Sequence, residues 1–468
     1  SGCADCHMPL QRSDDPAARA SPDGGGRAVH DHLFAAANTA VPVMMGQQES
    51  GNEARRDFLA RAARIDLFGI KEDGAIDGTL HAPLRPALPT LEPGKRYLLE
   101  LVVRTTGMGH QLTQGTVDSN ELWLDLTLKD GERVIGRSGG LDAQGDSDPW
   151  SYFVNAYLLD REGKRIERRN VQDIAVALYD HQIPPGAAAV VHYAFDVPAD
   201  AKGPIAIDAA LRYRKFDTRF LRYVEGNDFE ANRLPIATLA TDRVLLPVIG
   251  SAAPPDPGST IQIADWERWN DYGIGLLREA GETGKQGELR QAGDAFAEVE
   301  GLGRADGPLN LARVRFREGD LDAAADALRR AEQMDPPAPA WTLAWYSALV
   351  KRELGDLDGA IADLDNLAET RFADARARGF DFSADYRMLT ELGRTLYERS
   401  RQERGDARRQ ARREQLDRAR QRLEQALAVD PEYAAAHYNL SLILADLGDR
   451  EEAEHHRAPV SYTHLRAH

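Results

Sequence analysis

The feature that most constrains the fold is a repeat in the C-terminal half of the chain. The dipeptide Gly-Asp occurs at Gly319-Asp320 and again 36 residues later at Gly355-Asp356, each time before an alanine-rich stretch with helical periodicity. A third copy carries the same dipeptide at Gly448-Asp449. A unit this short cannot bury the apolar faces of its helices alone, so the repeat predicts stacked helix pairs that share a core.

Small residues and prolines recur at matching places in these copies. Alanines fall where two helices of one unit would cross: Ala324, Ala331, Ala360, Ala419, Ala426 and Ala453. Proline closes the second helix at Pro336 and Pro431. The pattern resembles the tetratricopeptide repeat, whose period is about 34 residues. The resemblance covers residues 263–457, apart from a charged insertion, and implies an all-α solenoid whose groove takes a protein or peptide ligand.

A period of two governs the region before the repeats. Runs such as KRYLLELVVRT and ELWLDLTLKD alternate apolar with polar residues, and turn sequences such as LEPGK and KDGE separate them. Short alternating runs with frequent turns and no intervening helix predict an antiparallel β-sandwich over residues 91–249. The residues that follow, 250–262, are rich in proline, glycine and serine, which is typical of a linker.

Both cysteines of the chain lie in its first six residues, where Cys3 and Cys6 are separated by two residues and His7 follows at once. A disulfide would close a tiny ring near a chain end and add little stability. A zinc site would lack a second pair of ligands, and a redox C-x-x-C normally sits in a βαβ setting. C-x-x-C-H is instead typical of covalent haem c, with His7 as the proximal iron ligand.

A haem of this type usually takes a second axial ligand from its opposite face. His30 and His32 are the nearest candidates in sequence, and we expect one of them, foremost His32, to ligate the iron. His110 is a further candidate, because the glycines of its loop allow the backbone to approach a flat cofactor closely. Its alternative role is that of a buried histidine that hydrogen-bonds the strand ends.

With these motifs in place, residues 1 to about 250 resemble the C-terminal part of a multihaem c-type cytochrome. C-x-x-C-H-M-P resembles the end of the haem domain, and TGMGHQLTQGTVDSNELW resembles the G-H-x-[FL]-x-x-G segment of the β-domain that follows. Two departures are the single haem motif and Thr113, which replaces the family's usual proline. The resemblance implies electron transfer, further haems in a missing N-terminal region, and a periplasmic or otherwise extracytoplasmic location.

The predicted fold class is therefore multidomain α and β: a short haem-binding segment, an antiparallel β-sandwich, then an all-α tetratricopeptide solenoid. The expected boundaries are 1–90 for the end of the haem domain, 91–249 for the sandwich, 250–262 for the linker and 263–457 for the repeats. The last residues, 458–468, break the pattern in mid-helix and are interpreted as an artefactual tail, so their histidines are not ligand candidates.

Charge and motif content limit the partners and the chemistry. A formal charge of −17 and a pI near 5.2 argue against a nucleic-acid partner. No stretch reaches the ~20 apolar residues of a membrane span, and P-loop, G-x-S-x-G and H-E-x-x-H motifs are missing. We expect an electron carrier with a redox partner protein rather than a catalyst. Two alternatives stay open: a tetratricopeptide scaffold without a redox role, and a haem-dependent reductase of a small nitrogen or sulfur species.

We expect most other polar residues of the β region to have structural roles. His181 precedes a Pro-Pro turn, and His192 lies inside an alternating strand, so both are expected to be structural. The cluster Asp118, Asn120 and Glu121 is compatible with a cation site, but such residues more often shape a turn.

Overall fold

The computed structural model describes residues 3–21, 24–32, 34, 36–46, 52–113, 115, 117–251, 258–283, 286–377 and 379–457. The chain divides into two compact units, Ser1–Ala295 and Phe296–His468. Much of the predicted linker (252–257) and the whole predicted tail (458–468) lie outside the described residues. No helix among the described residues is long and apolar enough to cross a membrane.

The N-terminal unit begins with short elements around the C-x-x-C-H segment. They are the helix α1 (Cys3–His7), the antiparallel strands β1 (Leu10–Arg12), β2 (Arg19–Ala20) and β3 (Arg27–His30), and the helices α2 (Val41–Met44) and α3 (Glu53–Leu59). The guanidinium group of Arg27 donates to the carbonyls of Ala18 and Pro16, at 3.0 and 2.9 Å, which ties β3 to the chain before β2.

Two antiparallel sheets of four described strands each follow, with orders β11-β6-β4-β5 and β13-β12-β7-β8. The first contains β4 (Ala63–Glu72), β5 (Leu80–His81), β6 (Arg96–Thr105) and β11 (Ala188–Asp196). The second contains β7 (Asn120–Asp130), β8 (Arg133–Ser138), β12 (Ile205–Lys215) and β13 (Ile236–Leu246). The hairpin of β9 (Ala156–Leu159) and β10 (Val176–Asp180) lies between β8 and β11 in sequence, and α4 (Thr218–Glu225) follows β12.

The buried residues of both sheets belong to a single hydrophobic core. Leu99 and Leu101 from the first sheet and Leu124 and Leu211 from the second are fully buried in it. Burying one such side chain contributes about 1.5–3 kcal/mol. The core therefore holds the two sheets together, as the alternating sequence pattern predicts for their inward faces.

The outer face of the first sheet is covered by α5 (Asp265–Thr283), which packs on β4, β6 and β11. Phe68 of β4 stacks on Tyr272 of α5 with ring centroids 4.5 Å apart. Since β4 and β6 are covered on both faces, nearly all their residues are buried. The sequence periodicity assigned α5 to the repeats, whereas in the structure it packs on the β-sheet of the N-terminal unit.

Buried ion pairs fix α5 in this place. The guanidinium group of Arg268 is fully buried and donates to both carboxylate oxygens of Asp66, at 2.8 and 2.9 Å. Arg64 donates to Glu267 and Asp271 at 2.6 Å each. Removal of one partner of a buried pair leaves an uncompensated charge, so these contacts make the position of the helix specific.

The helix α6 (Gln286–Gly301) contains the boundary between the two units, and the C-terminal unit is helical thereafter. Its helices are α7 (Asp306–Glu318), α8 (Leu321–Gln333), α9 (Ala340–Glu353), α10 (Leu357–Glu369), α11 (Ala373–Ala377), α12 (Tyr386–Ser400), α13 (Arg409–Val429) and α14 (Ala434–Leu447). Consecutive helices pack as pairs, α7 with α8, α9 with α10, and α12 with α13. The six alanines expected at helix crossings are all buried.

The repeated Gly-Asp dipeptide marks the turn between paired helices. Gly319 ends α7 with φ 79°, in the left-handed region that glycine adopts without a steric penalty. Asp320 then caps α8, because its carboxylate accepts a hydrogen bond of 3.1 Å from the amide of Ala323. Gly355 and Asp356 repeat the arrangement at the start of α10. The sequence repeat thus reflects a left-handed glycine and an aspartate N-cap that recur between paired helices.

Candidate functional site

A cavity of about 540 Å³ lies beside α1 in the N-terminal unit. Cys3, Cys6 and His7 line it from α1, and His110 lines it from the loop that follows β6. Alanine, leucine and methionine side chains form much of the remaining wall. Its volume and its apolar walls are typical of a small-molecule or cofactor site, since such sites measure about 300–1,000 Å³.

The helical turn of α1 explains why the three motif residues meet at one cavity. Residues three and four apart lie on the same face of a helix, so Cys3 shares a face with Cys6 and with His7. Both thiols are free and exposed rather than joined in a disulfide. The motif therefore presents two thiols and an imidazole to the cavity together.

The imidazole of His110 lies opposite that of His7. Their ring centroids are 6.2 Å apart and their planes differ by 5°. Nδ1 of His110 lies 3.0 Å from the carbonyl oxygen of Gln111, and a proton donated there leaves Nε2 as a potential metal ligand. The two imidazoles therefore lie close enough to contact one group bound in the cavity.

Aromatic rings hold His7 from its other sides. Phe34 stacks on the imidazole with centroids 5.2 Å apart and planes within 8°, and Phe58 of α3 lies 5.0 Å away at 40°. Phe58 also lines the cavity. These contacts give His7 an apolar environment, which is one of the factors that set the potential of a bound haem.

The strand β12 contributes the polar end of the cavity. Tyr213 and Lys215 are two residues apart, so they lie on the same face of the strand. The hydroxyl of Tyr213 donates to the carbonyl of Ala37 at 2.8 Å. Burial, together with the nearby Arg169 guanidinium, lowers the pKa of Lys215 to about 8. A carboxylate group bound beside Lys215 would favour its charged form.

The structure does not bring His30 and His32 to this cavity. Neither is among the described residues that line it, and both are exposed. His30 pairs with Leu10 across β3 and β1, and its Nδ1 lies 2.6 Å from the carbonyl oxygen of Met8. Ligation by His30 or His32 therefore stays a prediction, whereas His110 is the second histidine among the described residues that line the cavity.

The residues of the acidic cluster have structural partners. Glu121 pairs with the buried guanidinium of Arg214 and accepts a hydrogen bond from Ser147 at 2.8 Å. Asp118 accepts a hydrogen bond of 2.7 Å from the amide of Arg169. These contacts correspond to the turn-shaping role rather than to a cation site.

Sequence patterns did not single out Lys215, Tyr213 or Phe58 as cavity residues. The two β12 residues fall in LRYRKF, which is typical of a solvated strand edge. Their spacing of two residues was the available signal, but it does not tell which face of the strand turns toward a cavity. That depends on the packing of the second sheet.

Comparisons with known proteins concern the helical part of the chain. A family model described as tetratricopeptide repeat matches residues 284–339 and 309–375, and one described as TPR repeat matches residues 405–448. No curated protein sequence matches the chain.

Similar solved structures include "MamA MSR-1 C2", with 18% identity, 43% of this chain and 98% of that chain covered, and a TM-score of 0.31. Another is "MamA 41-end from Desulfovibrio magneticus RS-1", with 15% identity, 42% and 94% covered, and a TM-score of 0.30. Likeness at this level carries no argument about function. The family matches do, and residues 284–375 and 405–448 therefore form tetratricopeptide repeats.

Proposed function

We propose that the chain is a haem-binding electron-transfer protein of the multihaem cytochrome c type that docks a partner protein through its tetratricopeptide repeats. The repeats support the docking part, because repeat arrays of this kind offer an extended concave surface to a protein or peptide. The observation that carries the haem part is the meeting of Cys3, Cys6, His7 and His110 at one apolar cavity.

The residues of the cavity fit the attachment of haem c. The thiols of Cys3 and Cys6 would hold it covalently, and the imidazoles of His7 and His110 would supply nitrogen ligands. A haem held in this way supplies reversible one-electron chemistry at its iron. Lys215 would pair with a haem carboxylate.

The two packed sheets, which we interpret as a β-sandwich, hold the loop of His110 in place. A haem held by two imidazoles favours electron transfer over substrate binding. The proposal accordingly prefers a carrier to a reductase of a small nitrogen or sulfur species. Attachment of haem c takes place outside the cytoplasm, so the proposal includes a periplasmic or otherwise extracytoplasmic location. The resemblance to multihaem cytochromes adds a redox partner protein.

A second candidate is a tetratricopeptide scaffold without a redox role. The observation in its favour is that the family matches are confined to residues 284–448 and do not reach the C-x-x-C-H segment. In that case the cavity beside α1 would have no cofactor, and partner binding would not depend on either cysteine.

Expression of the chain in a host that attaches haem c tests the proposal. We expect a haem-stained band and a low-spin spectrum in the oxidised and reduced forms. Cys6→Ala should abolish covalent staining, and His110→Ala should produce a high-spin spectrum. His32→Ala is the matched control, because His32 is exposed and does not line the cavity.

Two other outcomes would favour the scaffold or the reductase. A colourless wild-type chain would overturn the haem part and leave the scaffold. A wild-type chain that is already high-spin would indicate an open iron position and favour the reductase.

A further inference from the structure

A second polar site lies on the outer face of the first sheet, under α5. Gly275 allows the helix to approach β11 closely: a Cβ atom there would lie 2.7 Å from Cγ2 and 3.1 Å from the amide nitrogen of Val190. Glu279 is one helical turn further on, on the same helix face. Its Oε1 accepts a hydrogen bond of 3.1 Å from the amide of Val190. The close approach therefore brings a carboxylate onto the strand.

An imidazole and a second carboxylate lie close to the carboxylate of Glu279. His192 lies two residues after Val190 on β11, and so on the same face of the strand. Glu288 reaches the same place from α6 and is buried. One ligand atom from each of His192, Glu279 and Glu288 lies within 4.8 Å of the others. An imidazole and two carboxylates from three different elements are thus close enough to share one ion.

One ring nitrogen of His192 lies beside a buried carboxylate. Its Nδ1 lies 2.9 Å from Oε2 of Glu100, a fully buried carboxylate on the neighbouring strand β6, although the contact does not have hydrogen-bond angles. Nε2 of His192 is buried and has no hydrogen-bond partner among the described residues. Metal-binding histidines often have a carboxylate at one ring nitrogen while the other holds the metal.

The charge of the cluster favours a cation. Glu100, Glu279 and Glu288 bring three carboxylates, whereas Lys71, whose Nζ lies 3.0 Å from Oε1 of Glu100, brings one positive charge. Arg278, whose charge acts on Glu279, adds a second positive charge, so the formal charge of these groups is −1 when His192 is neutral. Burial raises the pKa of Glu279, and a bound cation would offset that desolvation cost.

We propose that His192, Glu279 and Glu288 bind a divalent transition-metal ion, with an additional coordination position open to water. One imidazole and two carboxylates suit Zn²⁺, Fe²⁺ or Mn²⁺ better than Ca²⁺, which prefers oxygen ligands alone. The ion would link β11, α5 and α6, and its role would be to fix both helices on the sheet. This site is separate from the cavity beside α1 and does not depend on the haem proposal.

Zn²⁺ alone is the probe for the test. The chain, with both exposed cysteines alkylated, is stripped with a chelator, dialysed against micromolar Zn²⁺ and analysed for metal content, and its thermal unfolding is recorded with and without the ion. Alkylation blocks both cysteines, so thiols cannot compete for the metal. We expect one Zn²⁺ per chain and a higher unfolding temperature in its presence.

Three substitutions and a matched control locate the site. His192→Gln, Glu279→Gln and Glu288→Gln should each weaken Zn²⁺ binding by about tenfold or more. His81→Gln should leave it unchanged, because His81 contacts Glu72 at 2.9 Å in a comparable but half-exposed pair. An unaltered circular dichroism spectrum would establish that each variant is folded.

The proposal is overturned if the wild-type chain binds no Zn²⁺ below millimolar concentration. It is equally overturned if binding persists in all three folded variants. In either case the cluster is a network of polar side chains that holds no metal ion.

Discussion

The imidazole rings of His7 and His110 lie parallel across one cavity, with their centroids 6.2 Å apart. One ring belongs to α1 and the other to the loop after β6, so only the folded N-terminal unit brings them together. Both rings line the cavity, whereas His32 is exposed and is not among the described residues that line it. Under the proposed haem function, this relationship makes His110 the second ligand to test.

Replacement of His110 by methionine should change the reduction potential of the haem-matured chain. His–Met ligation raises the potential relative to bis-histidine ligation, and axial ligands as a class span about 0.8 V. We expect His110→Met to remain low-spin with a midpoint raised by on the order of 0.1 V. A spectroelectrochemical titration measures it. His32→Met is the control, and an equal shift in that variant would contradict the assignment of His110.

The sequence predicts best those elements whose signals are local. Gly319 and Asp320 act within one helix end, and the structure confirms the tetratricopeptide repeats that their spacing predicts. The alternating runs likewise correspond to strands. By contrast, β4 and β6 are covered on both faces because α5 packs on them, and no pattern within those strands reveals a distant helix.

The site depends on contacts between distant segments, and its prediction was partial for that reason. Cys3, Cys6 and His7 follow from one helical turn, and all three line the cavity. The nearest histidines in sequence, His30 and His32, are not among the described residues that line the cavity, whereas the distant His110 is. The sequence predicts a structural role for His192 and gives no sign of Glu279 and Glu288, which lie close to it only in the folded unit.

The buried pair of Arg268 and Asp66 should be important for the stability of the N-terminal unit. Asp66→Ala leaves the fully buried guanidinium without its main partner, which typically costs about 3–5 kcal/mol. Urea unfolding followed by circular dichroism measures the loss. Asp196→Ala is the matched control: its pair with Arg96 is exposed on both sides, so the unfolding midpoint should hardly move. Equal effects of the two substitutions would refute the argument.

Lys215 should make the stability of the haem-free chain depend on pH. Burial lowers its pKa from the ordinary value of 10.5 to about 8 in the folded chain, so between these values the unfolded chain binds more protons. Stability contributed by this residue therefore rises with pH over that window. Relative to Lys215→Met, the wild-type chain should be less stable at pH 7, and the difference should shrink toward pH 10.

Urea midpoints of both chains across pH 7–10 measure the effect, and their difference cancels the titration of all other groups. Lys215 is partly exposed, so we expect a modest change. A constant difference between the two chains across this range would show that Lys215 keeps an ordinary pKa.

The Gly-Asp turn of the repeats should be sensitive at both of its positions. Asp320→Ala removes the carboxylate that caps α8 and should cost about 1 kcal/mol. Gly319→Ala forces a side chain into the left-handed region at φ 79° and should cost about 1–2 kcal/mol. Thermal unfolding of the full chain measures both. Glu332→Ala, at an exposed position of the same helix, is the control and should leave the midpoint unchanged. If Asp320→Ala were as neutral as the control, the dipeptide would not act through helix capping, and its recurrence would need another explanation.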